Sequence, residues 1–290
     1  MILSFFRSIR PQQWVKNAVV LAAVMFSEHL LDSSYVLTAL AAAGAFVLLS
    51  SAIYLVNDLA DAEADRRHPD KASRPIASGD LSAPVAWVAA VALLGGGLGA
   101  AALLHRNFLF VGLTYTALNL AYSFGLKRTV LVDILIVAAG FLLRAVGGAV
   151  VIDVAISTWF ILCTFTLTLF LAAAKRRGEL VRFEGDAALH RTSLGSYDVA
   201  YLDQVMSILA SATVVCYALY AMGVGEGGVT ASHQMQWTIP FVLYGVLRYL
   251  FLVHRGEGDD PTALLWRDRP LQVNLLLWGG LSLGLVYGSN

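Results

Sequence analysis

The chain has 290 residues, 58% of them hydrophobic and only 14% charged, with 20 Lys and Arg balancing 20 Asp and Glu. A soluble globular domain carries about 25% charged residues, so composition excludes one, and zero net charge excludes a global field that recruits nucleic acid. Apolar stretches of about 20 residues recur throughout and are continuous rather than alternating, which predicts an all-α polytopic membrane protein and not a β-barrel.

Residues 1–10 read as an interfacial helix, with Ile2, Phe5, Phe6 and Ile9 beside Arg7 and Arg10. The apolar stretch there is too short for a signal peptide and lacks a small-residue cleavage pattern. Nine spans are then expected, at 14–31, 35–56, 83–104, 108–125, 130–151, 156–174, 205–223, 236–254 and 270–287, within a single transmembrane domain covering 1–290. The first and fourth are short. All Lys and Arg except Arg106, Arg144 and Arg248 fall in alternate loops or at their edges, so the positive-inside rule puts the N-terminus in the cytoplasm and Asn290 outside. The long charged segments 57–82 and 175–204 then lie on the cytoplasmic side, where the chemistry is expected. Both follow an even-numbered span, which hints at an internal duplication.

In chain order, the first polar cluster is Gln12, Gln13, Trp14, Lys16 and Asn17. Trp14 reads as an interfacial anchor, whereas Lys16 and Asn17 lie deep enough to require a partner such as a lipid phosphate. Next comes Asn57-Asp58-Leu59-Ala60-Asp61-Ala62-Glu63-Ala64-Asp65-Arg66. On a continued helix Asp58, Asp61 and Asp65 fall within about 60° of one face. Three such carboxylates repel one another unless a cation lies between them. Hard oxygens suit Mg²⁺, which in such sites also holds substrate phosphates. The motif therefore points to a diphosphate-handling metal site, with Asn57 as a further carbonyl donor. The plainer reading is a solvated acidic loop paired with Arg66, Arg67 and Arg74.

Arg66, Lys71 and Arg74, before the turn of Pro75 to Gly79, are candidates for the same diphosphate. Tyr122 and Lys127, at the end of the fourth span, are candidates for sugar hydroxyl or phosphate. Asp133 and Arg144 in the fifth span lie about 16 Å apart along a helix axis, too far to pair, so each needs an interior partner. The Gly147-Gly148 pair permits close helix contact. After the sixth span, Lys175, Arg176 and Glu179 suit a substrate with several phosphates. Cys163 and Cys216 read as small core residues, and the 6 His are scattered. No Cys/His metal spacing, P-loop or nucleophile elbow is present.

These motifs resemble the UbiA superfamily of intramembrane prenyltransferases. Its signature, Asn-Asp-x-x-Asp-x-x-x-Asp after the second of nine helices, is matched by Asn57, Asp58, Asp61 and Asp65. Ordinary members carry a second Asp-rich motif after the sixth helix. Here Lys175-Arg176-x-x-Glu179 stands in its place, with Glu184 and Asp186 the nearest acids beyond. That departure resembles the decaprenyl-phosphate phosphoribosyltransferase branch. The likeness runs through Arg10-Pro11-x-Gln13-Trp14-Val15-Lys16-Asn17, Tyr54-Leu55-Val56-Asn57-Asp58, His68-Pro69, Arg74-Pro75-Ile76-Ala77, Phe124-Gly125-Leu126-Lys127, Leu143-Arg144-Ala145, Leu247-Arg248-Tyr249 and Arg267-Asp268-Arg269-x-Leu271-Gln272.

The resemblance implies a UbiA-type bundle in a bacterial inner membrane. It also implies a Mg²⁺-dependent transfer of 5-phosphoribosyl from phosphoribosyl diphosphate to a polyprenyl phosphate, for arabinan and cell-envelope precursors. Asp58 and Asp61 would hold the metal, with Asp65 closing the site or positioning ribose. Lys175 and Arg176 would take the donor's 5-phosphate, and Glu179 would orient them or bond ribose hydroxyls. Lys16 and Lys127 would serve the acceptor phosphate or the diphosphate. The competing readings are a prenyltransferase for an aromatic or quinone-precursor acceptor, and a transporter or channel. No nucleic-acid partner is expected, and the sequence leaves open whether the chain forms a homo-oligomer.

Overall fold

The computed structural model describes residues 2–182, 194–224, 234–257 and 261–288. Glu184, Asp186, Arg191 and Asn290 lie outside the described residues. Helices and turns account for all regular structure among the described residues, with no strand. Helix α1 (Ile2–Ser8) leads into a 3-10 helix (Pro11–Leu21), the five-residue α2 (Ala22–Phe26) and the 28-residue α3 (Ser33–Ala60). Short helices α4 (Ala62–Arg67) and α5 (Pro75–Ser78) precede α6 (Ala83–Leu104), α7 (Arg106–Phe124) and α8 (Val132–Val151). Then follow α9 (Thr158–Arg182), α10 (Val199–Ala221), α11 (Ile239–His254), α12 (Pro261–Arg267) and α13 (Arg269–Tyr287).

Among the described residues, seven helical stretches are long and apolar enough to cross a membrane: Ser33–Ala60, Ala83–Leu104, Val132–Val151, Thr158–Arg182, Val199–Ala221, Met235–His254 and Arg269–Tyr287. The two other expected spans differ for visible reasons. That at 14–31 is a 3-10 helix, started by Pro11, which runs into the short α2. That at 108–125 is α7, whose Arg106, Asn107, Thr114, Thr116 and Asn119 dilute its hydropathy.

The chain divides into two compact units. The first comprises Met1–Val24, His29–Lys127 and Leu143–Ala155. Helix α3 is its axis, packed by α6, α7 and the 3-10 helix. Ala39, Ala42, Ala45, Phe46, Leu49 and Ile53 recur at helical spacing as its buried stripe. Phe46 meets Phe108 and Tyr115 edge-on, with centroids 5.6 and 5.3 Å apart. Small residues set the closest approaches. At 1.5 Å per residue α3 is about 42 Å long, more than the roughly 30 Å hydrocarbon core, so its C-terminal turn carries Asn57 and Asp58 to a membrane surface.

The second unit comprises Met25–Glu28, Arg128–Leu142 and Ile156–Asn290. Helices α9, α10, α11 and α13 pack in sequence around Phe170, Leu202, Met206, Tyr249 and Leu252. Asp268 caps α13 by accepting from the Leu271 amide at 2.8 Å, and receives Arg248 Nε and Nη2 at 3.2 and 2.7 Å. The hydrogen bond from Arg248 is the main force holding the Asp268 carboxyl below the ordinary carboxylate range.

Two outcomes follow. A Cβ on Gly148 would stand 2.0 Å from the Val20 carbonyl oxygen, whereas one on Gly95 or Gly99 would meet nothing within 4 Å. Gly148→Ala should therefore destabilise by at least the roughly 1–3 kcal/mol typical of overpacking, while Gly99→Ala should be neutral or mildly stabilising, as thermal unfolding in detergent will read. Because the Asp268 pKa is depressed in the fold, its contribution to stability is full above the ordinary carboxylate range and is lost as pH falls through the depressed value. Asp268→Asn should flatten that acid limb of a Tm-against-pH profile; an unchanged acid limb would contradict the linkage.

Candidate active site

The acidic motif sits where α3 gives way to α4. Asp61 marks the break, with φ −99° and ψ 0°, yet the helical bonding pattern carries across it. The Asp61 amide donates to the Asn57 carbonyl at 3.0 Å and the Asp65 amide to that of Asp61 at 2.8 Å. The i, i+3, i+7 spacing of Asp58, Asp61 and Asp65 therefore survives. Asp58 and Asp65 are buried, at 3% and 4% exposure. A buried carboxylate is tolerated only with a charge partner and hydrogen bonds, and the sequence supplies these from three distant places.

Arg74 Nη1 donates to Asp58 Oδ1 at 3.1 Å and to Asp65 Oδ2 at 2.8 Å, so one nitrogen clamps the first and last acids together. Arg10 Nη2 donates to the same Asp58 oxygen. Lys127 Nζ, from the turn after α7, pairs with Asp61 Oδ1 and donates to Asn57 Oδ1 at 3.3 Å. Arg74 thus gathers Asp58 and Asp65, and Lys127 gathers Asn57 and Asp61, within one short stretch of the chain. Arg10 joins Asp58, and the sequence signalled Arg10 as an interfacial charge and as the start of a segment shared with the family, with no site role assigned to it. Arg66 is placed otherwise: its Nε donates to the Ala77 carbonyl at 3.1 Å, pinning α5 beneath the acidic helix. Gly79, at φ 87°, then turns the chain toward α6. Lys16, Lys71 and Tyr122 are half-buried in the same unit.

Asn17 is buried, and its side chain accepts from Arg144 Nε at 2.7 Å and donates to Ser50 Oγ at 3.3 Å. Arg144 also donates to the Tyr115 hydroxyl at 2.8 Å, with its guanidinium 4.8 Å from that ring's centroid. This polar knot ties the 3-10 helix to α3, α7 and the 143–151 part of α8.

The second unit holds its own buried ionic network. Asp133, fully buried, receives Arg176 Nε at 2.8 Å and the Tyr197 hydroxyl at 2.7 Å. Arg176 Nη1 donates to Glu179 at 2.8 Å, an i, i+3 pair. The Tyr197 oxygen accepts from the Leu131 amide at 2.7 Å, bracing a non-glycine residue at φ 65°. Burial, then the bond to Asp133, pushes the Tyr197 phenol up. Arg177 pairs with Asp203. Lys175 is exposed and makes no ion pair among the described residues. Asp133 was legible as a residue needing an interior partner; Tyr197 carried no local signal.

Among the described residues, no group of three or more His, Cys, Asp or Glu is disposed to hold a metal ion by itself. Asp58, Asp61 and Asp65 are the hard-oxygen donors that the acidic motif offers, and each pairs with a cation.

Comparison with known proteins gives a consistent result. The UbiA prenyltransferase family matches residues 18–276. The chain is 37% identical to a decaprenyl-phosphate phosphoribosyltransferase of Mycolicibacterium smegmatis over 300 aligned positions, covering 100% of this chain and 94% of that protein. It is 39% identical over 282 positions to one of Mycobacterium tuberculosis, covering 96% and 92%. The fold is that of a UbiA homolog from Archaeoglobus fulgidus whose structure holds DMAPP and Mg²⁺. The TM-score is 0.74 at 18% identity, over 98% of this chain and 99% of that one.

Removing Asp133 strands a buried guanidinium. Asp133→Ala should cost about 3–5 kcal/mol of stability, and Tyr197→Phe about 1–3 kcal/mol through the amide and carboxylate left unpaired. Denaturant unfolding in detergent measures both; a loss for Asp133→Ala no larger than that for Tyr197→Phe would contradict the network.

Proposed function

The chain belongs to the UbiA prenyltransferase family, and from that premise we propose that it transfers 5-phosphoribosyl from phosphoribosyl diphosphate to decaprenyl phosphate, releasing diphosphate. The observation that carries this reading is identity of 37–39% along nearly the whole length of relatives named for that transfer. The same reading makes the chain a multi-pass protein of a bacterial inner membrane with a cytoplasmic N-terminus. The Pro11–Phe26 stretch and α7 join the seven apolar helices inside the bilayer.

The acids and bases of the first unit suit the donor's diphosphate. Asp58, Asp61 and Asp65 offer oxygens of the right hardness for Mg²⁺, so the donor chemistry fits, although Arg10, Arg74 and Lys127 engage those oxygens in the structure. A diphosphate resolves the competition for Arg74 and Lys127, because it gives those two cations an anion of their own. Bound there, Mg²⁺ would neutralise charge growing on the leaving diphosphate. Arg74 and Lys127 donate to phosphate oxygens, and Asn57 steadies Lys127. Lys71 and Arg66 extend the positive rim. In the second unit, Arg176 is buried against Asp133 and Glu179 rather than presented to a phosphate, and Lys175 is exposed. Tyr122 is assigned to a ribose hydroxyl, and Lys16 and Asn17 to the acceptor side.

The bond changes are simple. An oxygen of the lipid phosphate attacks C1 of ribose, the C1–O bond to diphosphate breaks, and C1 inverts. The attacking oxygen is already anionic, so no strong general base is required. Charge develops on the leaving group and on C1, and a preformed array of cations lowers that barrier without reorganisation during the step.

Purified protein given Mg²⁺, phosphoribosyl diphosphate and decaprenyl phosphate should release diphosphate and form the lipid-linked phosphoribose. Chelation should abolish this and Mg²⁺ restore it. Asp58→Ala and Asp61→Ala should each lower kcat at least about a hundredfold, the scale of removing one group that stabilises developing charge. Prenylation of an aromatic acceptor, with no diphosphate released from these substrates, would overturn the assignment.

A further inference from the structure

The N-terminal elbow carries chemistry that the donor site does not use. Arg10 is a non-glycine residue in the left-handed region, at φ 52° and ψ 65°. Such a backbone persists only where its surroundings fix it, and it clusters at functional sites. Here the preceding Ile9 carbonyl accepts from Trp14 Nε1 at 3.2 Å and Ser51 Oγ at 3.4 Å, and the Arg10 carbonyl accepts from the Gln13 amide at 2.9 Å. The guanidinium lies 5.0 Å from the centroid of the Tyr54 ring and donates to Asp58. Its side chain nevertheless keeps 28% of its exposure, on the side that opens into a cleft of about 460 Å³.

Phe6, Arg7, Arg10, Pro11, Gln12 and Gln13 line that cleft, and no acid does among the described residues. Arg7 is exposed and makes no ion pair among the described residues. Beside it α1 leaves Ile2 and Leu3 each 74% and Phe6 49% exposed. Two guanidiniums and two amides beside an apolar face fit a ligand with an anionic head and a hydrocarbon tail. A soluble anion gains nothing from the apolar face. A phosphate monoester carries close to two charges near neutral pH and so matches two guanidiniums, whereas the phosphate diester of a bilayer lipid carries one.

Resting on the function proposed above, we propose that this cleft seats the phosphate head of the acceptor lipid. Arg7 and Arg10 bind the monoester, Gln12 and Gln13 contribute amide donors, and Phe6 lies along the first carbons of the tail. Because Arg10 is also bonded to Asp58, an oxygen held by Arg10 is delivered beside the carboxylate motif. Arg10 is then the residue that joins acceptor and donor sites.

The test uses the full chain in detergent, with Arg7→Gln, whose exposed side chain spares the fold, and Arg10→Lys, which keeps the charge on Asp58. Decaprenyl phosphate should raise the Tm of the wild type, and Arg7→Gln should lose that shift. In turnover, Arg7→Gln and Arg10→Lys should raise KM for decaprenyl phosphate about tenfold, as expected for one charge-assisted hydrogen bond, and leave KM for phosphoribosyl diphosphate unchanged. An unchanged lipid KM, or a rise in the donor KM instead, would overturn the site. So would a Tm shift from phosphatidylglycerol or inorganic phosphate equal to that from decaprenyl phosphate. A wild type that binds decaprenyl phosphate through Arg7 yet releases no diphosphate would sink the proposed reaction and leave the lipid site standing.

Discussion

Three carboxylates at the foot of one membrane helix cannot be held together, two of them buried, without positive charge brought to them. That constraint shapes the first unit. The acids belong to one stretch of ten residues, but their counter-charges come from before the first apolar segment, from the loop after α4 and from the turn after α7. Arg74 binds two acids through one nitrogen, and Lys127 binds Asp61 together with Asn57. Each pairing closes the chain over a different distance, so satisfying the acids also fixes where the N-terminal elbow, α5 and the end of α7 must lie. Breaking such a pair by deleting one partner is far costlier than its net contribution suggests, because a buried charge is left behind.

The same arrangement suits a site that handles phosphates. In the structure the acids and bases satisfy one another. A metal-bound diphosphate offers both groups a new partner at once: oxygen donors take the cation, and guanidinium and ammonium groups take phosphate oxygens. Each acid would then have a cation and each base an anion, so neither set of groups would be left unpaired.

Much of this was legible in the sequence, and the rest was hidden for physical reasons. The all-helical membrane fold follows from continuous apolar runs, and the shared face of Asp58, Asp61 and Asp65 follows from helical periodicity alone. The break at Asp61 was not visible, yet it did no harm because the hydrogen-bond pattern bridges it. The 14–31 segment is apolar enough to suggest a span, but Pro11 and close packing against Gly148 produce a 3-10 helix that hydropathy cannot distinguish. Asp133 and Arg144 were readable as interior charges, since an ionised group in an apolar helix must find a partner. Their partners were not: Tyr197, Arg176, Asn17 and Tyr115 lie from about thirty to well over a hundred residues away, and pairing at that range leaves no local pattern. Arg176 shows the opposite trap. It sits in a run of three cations that reads as a phosphate platform, but the fold buries it against Asp133 and Glu179.

The first unit is not continuous along the chain; it closes with Leu143–Ala155, after a segment that belongs to the second. A ribosome delivers residues in order, so Arg10 emerges well before Asp58, and Lys127 only after two further apolar helices. Arg144, which holds Asn17 and hence the first segment in place, comes later still. During synthesis the acidic elbow therefore waits, incompletely compensated, while the membrane receives the helices that carry its partners. The insertion machinery must tolerate a transiently negative loop at the surface, and the first apolar segment cannot find its final seat until α8 has been made.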